Sequence, residues 1–105
     1  MSVIITLKLN GDPKRFEEFA AANVDRLGAI SSAAQAAGVI GHRFYGADGS
    51  RIMVVDEWPD ADTFHQFFAA QADAIGPMME EAGIQGEPEI TVWHELESHD
   101  QVGWD

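Results

Sequence analysis

The stretch IMVVDEWPDADTFHQFF, residues 52–68, decides how this chain is read. Its first half is an apolar run ending in Asp56, Glu57 and Trp58, which suits a strand. Pro59 stops the run, since its ring removes an N–H and holds the preceding residue extended. Asp60 then opens a helix, with Asp62 in the first turn where the helix dipole favours an anion. Phe64, Phe67, Phe68, Gln71 and Ile75 recur at helical spacing as the buried stripe. A strand that passes directly into an amphipathic helix is the corner of an α+β domain.

Upstream, IGHRFYGADGSRIMVVDEW reads as a β-hairpin, with Ala47-Asp48-Gly49-Ser50 supplying the turn. Near the N-terminus Val3, Ile5, Leu7 and Leu9 alternate with Ile4, Thr6 and Lys8, the pattern of a strand with one strongly apolar face. Asp12 is a good N-cap and Pro13 suits the first helical position. Phe16, Phe19, Asn23, Leu27, Ile30 and Ala34 then mark one long helix, ended by Gly38 and expected to bend at Gly28 or Ser31-Ser32.

Downstream of the opening stretch, Gly76-Pro77 is expected to break the second helix, leaving a short piece from Met78 to Ala82 that Gly83 ends. Glu89 to His94 is the last strand. The order β-α-β-β-α-β is the split βαβ pattern of ferredoxin-like folds. It assigns residues 1–97 to one α+β domain on an antiparallel sheet and 98–105 to an acidic C-terminal tail. Helices on one face leave the other face bare. That face carries Val54 and Val92, or Met53 and Val55, depending on register. A bare apolar sheet face usually means a partner, and a second copy packed sheet to sheet is the expected one.

Composition narrows the function. A chain of 105 residues is one ordinary domain. All six Lys and Arg lie before residue 52, and thirteen of the eighteen acidic residues lie after it, within a net charge of −12. Such a field repels phosphate backbones and anionic lipid, so neither nucleic acid nor a membrane is an expected partner. The absence of cysteine excludes disulfides and thiol chemistry. The opening MSVIITLKLNGD alternates and lacks a basic segment, so it reads as a strand and not a signal peptide, and a cytoplasmic protein is expected.

The chain to about residue 97 resembles the dimeric α+β barrel superfamily, and within it the antibiotic-biosynthesis-monooxygenase-like proteins. Residues 52–68 carry the resemblance, with Gly11-Asp12-Pro13 before the first helix and Pro88-Glu89 before the last strand. It implies a homodimer and a cleft between sheet and helices. Haem-degrading members place an axial histidine where this chain has Gly76-Pro77-Met78, a tryptophan near the position of Phe67, and an asparagine on a first strand that here offers none before Asn10. The resemblance therefore implies chemistry without a cofactor, a cofactor-independent monooxygenase-like reaction on an apolar or aromatic small molecule. The alternative is a non-catalytic dimeric ligand-binding or scaffold protein whose cleft has filled with phenylalanine.

Within that reading Trp58 walls the cleft and His65, one residue round the helix from Phe64, moves a proton. Phe44, Phe64, Phe67, Phe68 and Leu27 are the expected substrate-binding residues. His42 and His94 fall on the two edge strands, where they could meet across a dimer, but their spacing is no metal signature and no metal site is expected. Asp56 and Glu57 point to opposite faces, so one of them needs a partner in apolar surroundings, with Arg43 and Arg51 as candidates. Met53, Met78 and Met79 read as core filler.

Overall fold

A computed structural model describes residues 1–104; Asp105, the last residue of the expected acidic tail, lies outside the described residues. The elements are β1 (Val3–Asn10), α1 (Pro13–Ala22), α2 (Val24–Ala37), β2 (Gly41–Ala47), β3 (Arg51–Trp58), α3 (Ala61–Ala70), α4 (Ala72–Glu81) and β4 (Gln85–Trp93). The four strands form one antiparallel sheet in the order β2-β3-β1-β4. This is the ferredoxin-like α+β fold, with β2 and β4 at the edges. Residues 94–104 carry neither helix nor strand.

Register settles which face is covered. Val3, Ile5, Leu7 and Leu9 lie opposite Trp58, Asp56, Val54 and Ile52, and all eight are buried. Ile4, Thr6, Met53 and Val55 take the other face, so the bare side carries Met53 and Val55 while Val54 and Val92 turn toward the helices. On that bare side Ile4, Tyr45 and Trp93 remain exposed. The Trp93 indole donates across the strands to Thr6 Oγ1 at 2.8 Å.

Each expected helix is a pair of shorter ones. The first breaks at Asn23, not at Gly28, which sits unbroken inside α2. Asn23 leaves helical geometry and turns its side-chain amide back onto the Phe19 carbonyl at 2.9 Å, a local bond that competes with the helical ladder. The second breaks at Gln71, and Gly76-Pro77 lies inside α4. One missing N–H within a helix is tolerated where packing on both sides holds the segment. Here Ile75 is half-buried and Met78 fully so.

The helix starts follow the expected chemistry. Asp12 accepts from the Lys14 N–H at 3.1 Å, and Asp60 accepts from both the N–H and the hydroxyl of Thr63 at 2.7 Å. β4 begins four residues earlier than its alternation indicates, at Gln85, and its register against β1 shifts between Lys8 and Asn10. Gly86, with φ of 74°, and Pro88 are tolerated there because β4 is an edge strand. Among the described residues no helix is long and apolar enough to cross a membrane.

Candidate functional site

Asp56 is where the fold departs from an ordinary core. It sits on the helix side of β3 between Val54 and Trp58, and its carboxylate is buried among apolar neighbours. A charge in such a place needs partners. It has two. His42, directly opposite on β2, brings Nδ1 to within 2.6 Å of Asp56 Oδ1. Trp58, two residues along the same strand face, donates its indole N–H to Asp56 Oδ2 at 3.1 Å. The arginines considered from sequence are elsewhere: Arg51 donates to the Asp48 carbonyl, and Glu57 on the opposite face accepts from Ser2.

A carboxylate oxygen accepts, so His42 Nδ1 is the donor of this bond. In the neutral ring Nε2 is the free acceptor, and a carboxylate behind an imidazole is the arrangement that fixes the tautomer of a general base. The His42 ring is held edge-on to Phe44, with centroids 5.1 Å apart. About a third of its side-chain surface remains accessible.

That surface faces a cavity of about 1060 Å³ between the sheet and the helices, whose lining includes both His42 and Asp56. Leu7, Val54 and Ile90 form its sheet wall, while Leu27, Ile30 and Ala34 of α2 form its roof. Phe64, Phe67 and Phe68 with Met78 and Met79 form its far side. The phenylalanines therefore line the space without closing it. Outside the lining, Arg26 and Glu81 form a two-pronged ion pair, at 3.0 and 2.8 Å, that ties α2 to α4. Their mutual hydrogen bonds raise the Arg26 pKa and lower that of Glu81.

All five residues expected to bind substrate, Phe44, Phe64, Phe67, Phe68 and Leu27, lie in this lining. Trp58 lies behind the wall and not on it: it is fully buried, and it meets the lining through Phe64 and Phe67, at centroid distances of 5.9 and 5.3 Å, and through its bond to Asp56. His65 stands exposed on α3 against the edge of Phe64 and outside the lining. His94 follows β4 and is exposed. Among the described residues no three His, Asp or Glu side chains are grouped as a metal would require.

The pairing of His42 with Asp56 is what sequence reading missed. A four-residue turn over Ala47 to Ser50 leaves the register open by one residue, and one residue moves His42 to the other face. The hairpin pairs Ala47 with Arg51 around Asp48-Gly49-Ser50, with positive φ at Gly49 and Ser50, and this places His42 opposite Asp56.

No protein-family model matches the sequence, and no curated protein matches it. Solved structures share the fold. A conserved protein from Methanosarcina mazei Go1 is 17% identical over 91% of this chain and 94% of its own, with a TM-score of 0.67. A protein from Bordetella bronchiseptica, provisionally named an antibiotic biosynthesis monooxygenase, is 15% identical over 90% and 97%, with a TM-score of 0.64. A protein from an uncultured marine organism, described as dimeric and ferredoxin-like, is 14% identical over 96% and 93%, with a TM-score of 0.63. The fold of this chain is thus that of antibiotic-biosynthesis-monooxygenase-like and dimeric ferredoxin-like structures.

Proposed function

We propose that this protein is a cofactor-independent enzyme that removes a proton from an apolar or aromatic small molecule held between sheet and helices, as the first step of its oxygenation. The observation that carries this reading is the His42–Asp56 pair on the wall of the large apolar cavity. Pockets that bury drug-sized ligands measure about 300–1,000 Å³, so the space suits a molecule of several fused rings. His42 Nε2 takes the proton, Asp56 stabilises the imidazolium that forms, and Trp58 holds Asp56 in place. His42 is the base in this reading, and not His65, which lies outside the cavity lining.

The resulting carbanion is electron-rich enough to reduce dioxygen itself. A methylene between two rings becomes a carbonyl; one oxygen atom enters the product, and the second leaves as water with the two hydrogens. The chain's part is to bind, to accept the proton and to exclude bulk water. The test is oxygen uptake with anthrone as probe. Uptake above the protein-free rate that disappears in His42→Ala supports the reading, and equal uptake by His42→Ala overturns it.

The phenylalanine-rich lining also suits a second reading, a non-catalytic carrier of the same kind of molecule. Saturable anthrone binding with no uptake would favour it. In either case the bare sheet face, with Ile4, Tyr45 and Trp93 exposed, is the surface through which a second copy would dock. Sedimentation at micromolar concentration is expected to give twice the 11.5 kDa chain mass.

A further inference from the structure

A helix that spans open space has little beneath it to rest on, and the first half of α2 is in that position. Leu27 and Ile30 face the cavity and are only half-buried. Val24 is exposed, and a Cβ on Gly28 would meet nothing within 4 Å. Side chains over a void lack packing partners on one side, so this segment opens more readily than a core helix. The second half is fastened. Ala34 is buried, its carbonyl accepts from the Gly38 and Val39 N–H groups at 3.0 and 2.9 Å, and the Ile40 N–H reaches the Glu57 carbonyl of β3 at 2.8 Å.

The free half begins at the Asn23 break, and one side chain gathers its connections there. Arg26 donates to Asn23 Oδ1 at 3.3 Å, lies over the Phe19 ring of α1 at 5.7 Å from its centroid, and holds Glu81 of α4 through both prongs. Among the described residues no other side-chain hydrogen bond or ion pair joins α2 to α3, α4 or the sheet. Glu81 stands on a fixed post. Met78 and Ala82 near it are buried, and the Arg15 guanidinium of α1 lies against Gly83, where a Cβ would come within 2.7 Å of its Cζ. Both members of the pair are about half exposed, so water and salt reach it.

We propose that the first half of α2 is a lid over the cavity that turns at Asn23, and that Arg26 and Glu81 are its latch. Closed, the lid presents Leu27 and Ile30 to the ligand. Opened, it parts from α4 and lets a ligand in. The latch lies outside the lining and touches no ligand, so it forms alike over the empty and the filled cavity. It sets how often the lid opens and not how tightly the ligand is held. An exposed ion pair suits this role, because little free energy is needed to break it. The proposal rests on the cavity of the proposed function but not on proton transfer at His42, so a failed oxygen-uptake test leaves it standing.

The first experiment is amide hydrogen exchange of the full chain, read residue by residue by NMR, in wild type and Glu81→Gln. The substitution lies on α4 and reaches α2 only through Arg26. Residues 27–31 are expected to exchange about two- to fivefold faster in the variant, the range an exposed ion pair supplies, while residues 35–40 keep the wild-type rate. Salt at about 1 M, where the screening length falls to about 3 Å, should speed the same amides in wild type and not in the variant. The charge-swapped double variant Arg26→Glu/Glu81→Arg should restore protection. Exchange unchanged in Glu81→Gln overturns the latch, and acceleration spread evenly over the whole chain overturns the lid. The second experiment is stopped-flow binding of N-phenyl-1-naphthylamine, a fluorescent probe without charge. Association and dissociation should quicken by the same factor in Glu81→Gln, leaving Kd unchanged. A change in Kd, or rates equal to wild type, overturns the gate. No binding of the probe overturns it together with the cavity reading.

Discussion

Trp58 donates its indole N–H to Asp56 over 3.1 Å, and both residues are buried on the same side of β3. The bond joins the hydrophobic core to the candidate site: the ring is packed by Phe64 and Phe67 while the N–H holds the carboxylate that faces His42. Trp58→Phe keeps most of the ring and removes the donor. Leaving one oxygen of a buried carboxylate unpaired costs about 1–3 kcal/mol, so a loss of that order in urea unfolding is expected. Oxygen uptake with anthrone should fall as well, because Asp56 is freed to turn away from His42. A variant with full stability and full uptake would show that the bond holds nothing.

Asp56→Asn separates charge from shape. The amide oxygen still accepts one hydrogen bond and the volume is nearly unchanged, but the charge that stabilises an imidazolium is gone. Uptake should drop at least about tenfold, in the range general-base catalysis supplies. Stability should fall by about 1–3 kcal/mol, because the amide NH2 faces one of the two donors, His42 Nδ1 or Trp58 Nε1, that the carboxylate oxygens accept from. A large loss of stability with uptake intact would place Asp56 in the framework and not in the chemistry.

Two residues of the cavity wall should respond differently to truncation. Phe64 is nearly fully buried and stacks on Phe68 with centroids 5.4 Å apart. Phe64→Ala is expected to cost about 3–5 kcal/mol. Leu27 is half-buried and borders open space. Leu27→Ala removes fewer contacts and merely enlarges a cavity already present, so its cost should fall below the usual 2–5 kcal/mol for such a change. Chemical unfolding of the two variants, read at equal slope, checks the difference.

The acid side of stability should carry the mark of the α3 cap. The Thr63 hydroxyl first, and then the Thr63 backbone N–H, hold the Asp60 carboxyl below the usual carboxylate range. A group depressed in the folded state gives stability that is complete above its unfolded value and lost as pH falls through its folded one. Asp60→Ala should therefore melt lower than wild type at pH 7, with the deficit shrinking below about pH 3.9, the ordinary aspartate value. A deficit constant down to pH 2 would mean that the cap works without its charge.

These residues also show where sequence is sufficient and where it is not. Asp12, Asp60, Gly38 and Gly49 act through local geometry, so the helix starts, the α2 end and the hairpin turn are legible from a few neighbours each. The breaks at Asn23 and Gln71 are less so, because the apolar stripes run through them without losing period. The contents of the cavity lining were readable from phenylalanine spacing, since a buried stripe and a cavity wall have the same pattern. The base was not. Whether His42 meets Asp56 depends on a one-residue choice of hairpin register, which tertiary packing makes and composition does not.

Three glycines give a closing contrast, set by what a methyl group would meet. In β2, a Cβ on Gly46 would lie 2.8 and 3.1 Å from the ring carbons of Pro13, the first residue of α1. That ring cannot rotate away, so Gly46→Ala must push α1 off the sheet, at the 1–3 kcal/mol or so typical of overpacking. At Gly11 the close atom is Ile84 Cδ1, 2.6 Å away at the free end of a side chain, and a rotamer change relieves the clash at a smaller cost. Gly28 meets nothing within 4 Å and lies mid-helix in α2, so Gly28→Ala should stabilise the chain by up to about 1 kcal/mol. Because α2 roofs the cavity without filling it, Gly28→Ala should leave anthrone affinity unchanged. A stabilised variant with weakened binding would mean that the roof must bend at Gly28 to admit its ligand, and that α2 is less straight in use than it is at rest.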